Sequence, residues 1–292
     1  MLRALLAHPL THGLDVDDPS TTALRRRIVR EKPFLRQLYE EWYGSIAARL
    51  PAGRAPVLEL GSGAGFFSER VPGVITSEVF ACPGIRVVSN GCRLPFAPES
   101  LRAIVMTDVL HHVPDPADFL AEAVRTLVPG GRIVMIEPWL TTWSRRVYAR
   151  HPEPLRPDAA DWGFPATGPL SGANIAIPWM IFERDRPAFE ARFPELAIRE
   201  IAPFMPFAYL VSGGVSLRNL APGWSYRLCR GVERALAPWN DRLAMFALIA
   251  LERLPADGTH HERPHQATVV SRADAAATGG SNPKSRRAGS SE

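Results

Sequence analysis

Val57-Leu58-Glu59-Leu60-Gly61-Ser62-Gly63-Ala64-Gly65-Phe66 is a short apolar run that breaks into alternating glycines. An apolar run of this length ending in a glycine loop is the signature of a buried parallel strand. In an open α/β sheet such a loop sits at the carboxyl end of the strand, where ligands bind. Glycine suits it because backbone without a Cβ can pass close under a ligand. The dinucleotide fingerprint G-x-G-x-x-G needs a third glycine at position 66, where the chain has Phe66. Pro72-Gly73 also cuts short the helix that would receive a pyrophosphate. A nicotinamide-dependent oxidoreductase is therefore the alternative that this loop disfavours.

The same texture continues towards the C-terminus. Apolar runs at 74–79, 101–107 and 132–136 predict further strands. Between the last two, Asp115 can cap a helix, Pro116 suits its first turn, and Phe119, Leu120, Ala123, Val124 and Leu127 form its buried face. Pro129-Gly130-Gly131 reads as the turn into the next strand. Strands alternating with helices predict an α/β, mostly parallel, seven-stranded sheet with helices on both faces. Only five residues separate Val79 from Ile85. A parallel crossover needs about a dozen, so either the third strand is stunted or the chain takes another path.

Upstream, residues 1–54 predict a helical flank. One helix is expected over 22–30, and a second opens at Pro33 with Leu35, Leu38, Trp42, Ile46 and Leu50 in one stripe. Downstream of Trp139 the chain is crowded with aromatics, proline and glycine as far as Tyr226. Strands are expected at 196–201 and 243–251, with a helix near 224–236. Residues 55–255 are read as one catalytic domain, with 139–195 an aromatic insertion closing over a substrate. Residues 256–292 carry almost no large apolar side chains, which predicts a disordered tail. It contains His260, His261 and His265, read as solvated rather than metal-binding.

Composition narrows the class. The net charge is +4, and 32 of the 34 cations are arginines, with no basic block longer than Arg25-Arg26-Arg27. Nucleic acid is not an expected partner. Cys82, Cys92 and Cys229 form no C-x-x-C pair, so neither a disulfide framework nor a metal site is expected. The apolar run ending at Leu251 falls far short of the ~20 residues of a membrane span. A soluble, cytoplasmic protein without integral membrane association is the expectation.

Residues 57–138 resemble the class I S-adenosylmethionine-dependent methyltransferases, in particular the small-molecule type 11 branch. The matching pieces are Glu59-Leu-Gly-Ser-Gly-Ala-Gly65, Leu94-Pro95-Phe96, Val109-Leu110-His111-His112-Val113, and Phe119 through Gly131 followed by a strand ending Ile136-Glu137. The resemblance implies a Rossmann-like methyltransferase fold and S-adenosylmethionine as cofactor. Gly61, Ser62, Gly63 and Gly65 would border its methionine and ribose parts, and Glu59 would meet the methionine ammonium. Glu78 would accept from the ribose hydroxyls, and Asn90 would stand beside the adenine. Asp108, ending the fourth strand, is read as a cofactor contact, with orienting a histidine, binding substrate or simple solvation as alternatives. Asn90 and Arg102 stand where the family usually has aspartates.

The expected reaction is methylation of a small molecule, at a hydroxyl oxygen. His111 and His112 stand at the mouth of the expected pocket, with Glu137 ending the adjacent strand. Histidine suits the general base because its ordinary pKa is about 6.5. His112 is the favoured base, with His111 and Glu137 as further catalytic candidates. The alternatives are a pair of structural histidines and, for the whole protein, a catalytically silent cofactor-binding protein. Arg145, Arg146, Arg150 and His151 form a basic cluster, read as a solvated helix face or an anion site. Deleting 257–292 is expected to leave the melting temperature and cofactor affinity nearly unchanged; a large loss of either would show that the tail docks.

Overall fold

The computed structural model describes residues 15, 17–165, 168 and 171–255. The segment read as a disordered tail lies outside them. Two helices come first, α1 (Pro19–Glu31) and α2 (Pro33–Ala47). α1 begins three residues before the expected Thr22 because Asp18 caps it, its carboxylate accepting from the Ser20 N–H at 2.8 Å, with Pro19 in the first turn. On α2 the predicted stripe Leu35, Leu38, Trp42 and Ile46 is buried.

Seven strands follow: β1 (Val57–Leu60), β2 (Ile75–Glu78), β3 (Val87–Val88), β4 (Leu101–Thr107), β5 (Leu127–Pro138), β6 (Leu196–Phe204) and β7 (Phe246–Arg253). They form one sheet in the order β3-β2-β1-β4-β5-β7-β6. The first five are mutually parallel, and β7 runs antiparallel between β5 and β6. All four residues of β1 are buried, as is most of β4, which explains why both read as apolar runs without alternation.

Among the helices, α3 (Phe67–Arg70) is the single turn left by Pro72-Gly73, and α4 (Pro116–Thr126) is capped by Asp115, which accepts from the Ala117 and Asp118 N–H groups. α5 (Thr142–Tyr148), α6 (Ile177–Trp179) and α7 (Arg186–Arg192) lie between β5 and β6. α8 (Ala208–Ser212), α9 (Tyr226–Ala235) and α10 (Asn240–Leu243) lie between β6 and β7. Among the described residues, no helix is long and apolar enough to cross a membrane.

Two local expectations resolve. The third strand is stunted: β3 has two residues, paired parallel to β2 in the register Ser77↔Val87. No helix makes the crossover. Side chain and backbone of Thr76 hold the short link instead, its hydroxyl donating to Gly84 O at 2.9 Å and its carbonyl accepting from the Arg86 N–H. Pro129-Gly130-Gly131 is not a turn into a strand but part of β5 itself. The register jumps from Leu101↔Leu127 to Ala103↔Arg132, so the extra residues bulge out of the strand, with Gly130 at φ +77°. Arg102, at the start of β4, donates to Pro51 O at 2.6 Å.

Trp42 ties the flank to the sheet. Its ring is fully buried, stacked on Tyr209 at 5.9 Å and packed against Phe246, Phe204 and Tyr39. Its indole N–H has no hydrogen-bond partner among the described residues. Trp42→Ala is expected to cost about 3–5 kcal/mol, and Trp42→Phe less, since it keeps a ring and removes the orphaned donor. Chemical denaturation of the two variants checks the order.

Candidate active site

A cavity of about 840 Å³ opens over the carboxyl ends of the parallel strands. That lies within the roughly 300–1,000 Å³ typical of small-molecule sites. Its walls include Glu78 from β2, the glycine loop after β1, Thr107 and Asp108 at the end of β4, Pro138 of β5 and Phe246 of β7. In sheet order this crosses five neighbouring strands, on the order of 19 Å at the usual strand spacing. The cavity therefore has two ends, one over β2 and β1, the other over β5 and β7.

The glycine loop shapes the first end. Gly61 sits at φ +70°, and a Cβ there would come within 2.5 Å of Val109 Cγ2. Gly63 donates its N–H to Glu78 Oε1 at 3.0 Å, and a Cβ on Gly63 would strike that same oxygen. Ser62 ties the loop to β1 and β2, donating to Glu59 O and accepting from the Ser77 N–H. Behind the loop, the Tyr43 hydroxyl of α2 accepts from the Phe66 N–H at 3.3 Å.

Two carboxyl groups face this end. Glu78 takes the Gly63 N–H on one oxygen and the Val79 N–H on the other. Burial raises its pKa, while those two donors oppose the rise. Each oxygen keeps a second lone pair, which suits a pair of ribose hydroxyls. Burial pushes Glu59 up to about 8, against the Ser62 hydroxyl and Arg26, with Glu78 adding to the rise. A ligand cation beside Glu59 would restore its charge. Asn90 also lines the cavity, but its amide oxygen already accepts from the Cys92 N–H at 2.9 Å, so an adenine amino group would have to use the second lone pair.

At the other end, Asp108 holds a left-handed backbone, φ +62°, unusual for a residue other than glycine. The next turn folds onto Glu137, which is fully buried. Glu137 Oε1 accepts from the Val109 and Leu110 N–H groups, each at 2.8 Å, and Oε2 from His111 Nδ1 at 2.9 Å. Burial alone would lower the His111 pKa, but its bonds to Glu137 and Glu153 and the charge of Asp108 hold it well above the ordinary histidine value. His111 is therefore an imidazolium at neutral pH, a donor rather than a base. Burial pushes Asp108 up to about 7, partly offset by the positive charge of His111.

Of the three catalytic candidates, only His112 lines the cavity. His111 and Glu137 lie behind it, 1% and 0% exposed, and act by holding the turn. His112 Nδ1 is 3.0 Å from Gly172 O, which can only accept, so Nδ1 carries the hydrogen and Nε2 the lone pair. Burial and the neighbouring imidazolium hold His112 down at about 4. It is neutral throughout the physiological range.

Sequence reading missed Glu153. Its carboxylate lies 3.5 Å from His111 Nε2 and 3.9 Å from His112 Nε2. Although burial opposes it, contact with His111 and the charges of the histidines hold Glu153 down at about 2. It lies 41 residues beyond His112, in no motif, and only its closeness to His151 in the chain marks it. Tyr148, Tyr209 and Phe246 complete this wall. The basic cluster largely turns away: the Arg145 guanidinium lies over the Trp179 ring at 4.6 Å, and Arg146 and Arg150 donate to carbonyls one turn back. His151 alone of that cluster lines the cavity.

A mostly parallel seven-stranded sheet whose first strand delivers a glycine loop and whose second ends in Glu78 is the Rossmann-like fold of the methyltransferases. Residues 58–135 match the family model of a methyltransferase domain, which spans β1, the loop, α4 and most of β5. Over residues 58–135 the chain carries a methyltransferase domain of the kind found in the class I, S-adenosylmethionine-dependent type 11 enzymes, and it is a methyltransferase.

Solved structures similar to this chain include geranyl diphosphate C-methyltransferase from Streptomyces coelicolor A3(2), at 17% identity, TM-score 0.44, with 75% of this chain and 78% of that chain covered. Another is the complex of the Haloferax volcanii Trm112 methyltransferase activator with a putative methyltransferase, at 15% identity, TM-score 0.47, with 85% and 100% covered. A third is the [4+2]-cyclase SpnF, at 14% identity, TM-score 0.43, with 73% and 81% covered. No curated protein matches the chain.

The raised Glu59 pKa yields a test. Below pH 8 the free protein holds Glu59 protonated, and a methionine ammonium favours the carboxylate, so binding at pH 7 should release a proton. Affinity should then rise with pH until about 8 and level off. Calorimetry of S-adenosylmethionine binding in buffers of unlike ionisation enthalpy measures the release. Glu59→Gln should abolish it; an unchanged release would move the ammonium elsewhere.

Proposed function

We propose that the enzyme methylates a hydroxyl oxygen of a small, largely apolar acceptor, with His112 receiving the hydroxyl hydrogen. The observation that carries this is that apolar and aromatic residues, Tyr148, Ile175, Tyr209, Val215 and Phe246, line the same cavity as the polar His112, Asp108 and Glu153. S-adenosylmethionine, when bound, supplies an electrophilic sulfonium methyl group. Glu59, Glu78, Asn90 and the glycine loop would hold it over β1 and β2. The insertion 139–195 supplies Tyr148, Glu153 and Ile175 to the opposite wall, which supports its reading as a substrate lid.

The chain's own work is then alignment, exclusion of water and one proton transfer. The His112 tautomer is set by Gly172 O, so its Nε2 meets the acceptor hydroxyl as a hydrogen-bond acceptor. A base held near 4 is a weak one, matched to a proton that turns acidic during the reaction. As the new carbon–oxygen bond forms, the hydroxyl becomes oxonium-like and strongly acidic, and its proton passes to Nε2 as the carbon–sulfur bond breaks. The imidazolium of His111 keeps its neighbour neutral and ready.

His112→Ala is expected to lower turnover on a hydroxyl acceptor by roughly 10²-fold or more, with cofactor affinity within a few-fold of wild type. Steady-state kinetics with a panel of quinol, phenol and polyketide alcohols, together with calorimetry, checks both. Full activity in His112→Ala would remove the histidine from the chemistry and leave alignment as the catalyst. Methyl transfer to carbon or nitrogen acceptors alone would overturn the oxygen assignment.

A further inference from the structure

His111, His112 and Glu153 converge in a way that proton transfer does not require. Both imidazoles point Nε2 towards the same carboxylate, at 3.5 Å and 3.9 Å. One ligand atom from each residue lies within 4.8 Å of the others. Metal–ligand bonds of about 2.0–2.1 Å set tetrahedral ligand atoms roughly 3.3–3.4 Å apart. The three groups already converge, and drawing them in by up to about an ångström would make a ligand set.

The outer contacts match as well. Metal-binding histidines characteristically give their second ring N–H to a carboxylate or a backbone carbonyl, which fixes the tautomer and aims the lone pair. Here His111 Nδ1 is held by Glu137, a fully buried carboxylate, and His112 Nδ1 by the carbonyl of Gly172. The hydrogen that the His111 imidazolium turns towards Glu153 would leave as an ion entered. The two rings are tilted at 42° with centroids 4.2 Å apart, on one 3-10 turn, Leu110–His112, that Glu137 clamps. Asp108 Oδ1 stands 3.9 Å from His111 Nε2 on the cavity side. Two imidazoles and one carboxylate with an open cavity beyond suit a first-row transition ion rather than magnesium or calcium, which prefer oxygen.

We propose that His111 Nε2, His112 Nε2 and the Glu153 carboxylate bind a divalent first-row transition-metal ion at the far end of the cavity. The inference deepens the functional reading and rests on it only in taking that end for the acceptor side. With an ion bound, His112 Nε2 would be occupied, so the proton transfer proposed above belongs to the metal-free enzyme. The spacing of the cysteines, which argues against a metal site in the sequence, is silent on this cluster because none of its members is a cysteine.

The test uses the full chain, stripped with a chelator and titrated with Co²⁺ in the absence of any acceptor. One Co²⁺ per chain should bind with visible bands of a nitrogen–oxygen site and no thiolate charge-transfer band. His112→Ala and Glu153→Gln should each weaken binding by roughly 100-fold or more, the upper end of the loss caused by removing an outer-shell partner. Both should keep S-adenosylmethionine affinity within a few-fold, which shows that the cavity has not collapsed. A His260→Ala, His261→Ala, His265→Ala triple variant should bind Co²⁺ like wild type. Co²⁺ binding that survives both cavity variants, or is lost in the triple variant, overturns the proposal, as does no binding at all. Failure of the metal-free enzyme to methylate any hydroxyl would sink the functional reading instead and leave this site standing.

Discussion

Glu137 is the residue on which the far end of the cavity depends. Its buried carboxylate collects two backbone N–H groups and one imidazole N–H from a single turn that follows β4. Burying a charged group is costly unless it is paired and hydrogen-bonded, and these three donors are what make it tolerable. In return the turn is fixed on the end of β5. His111 is held charged inside the protein, and that charge lowers the pKa of His112 and holds Glu153 close. Glu137 never meets the cavity, yet the proton states around it follow from its placement.

The cofactor side rests on a different constraint, close approach of backbone. Gly63 and Glu78 are partners: the carboxylate that would receive ribose hydroxyls is aimed by the amide of the glycine beneath it. Any side chain at position 63 would push that carboxylate away before it met a ligand. The N-terminal flank takes part too. Tyr43 supports the loop from behind, and Trp42 joins α2 to Tyr209 and Phe246, which form the opposite wall.

Much of the fold was legible in the chain because its signals are local. Apolar runs in strands buried on both faces, the Asp115-Pro116 helix start and the glycine loop all act within a few residues. The bulge at Pro129–Gly131 was misread, since a proline–glycine cluster has the same local chemistry in a turn and inside a strand. The site was legible only in part. His112 and Glu78 follow strands directly, whereas Glu153 reaches the histidines across 41 residues of loop and helix that carry no motif. Nor can spacing show a proton state. The sequence marks two adjacent histidines, but only contact with Glu137 and Glu153 makes one a cation, and burial beside that cation keeps the other neutral.

The position of β7 has a consequence for synthesis. The last strand of the sheet lies between β5 and β6, so β6 has no partner until nearly the whole domain has left the ribosome. The parallel half, β1 through β5, needs nothing beyond residue 138 for its strand pairing. A nascent chain therefore holds an open β5 edge and an aromatic segment while more than a hundred residues are added. Unpaired edges and exposed apolar surface are what aggregate during folding. Closure by β7 therefore comes last in synthesis, after that edge has stood open.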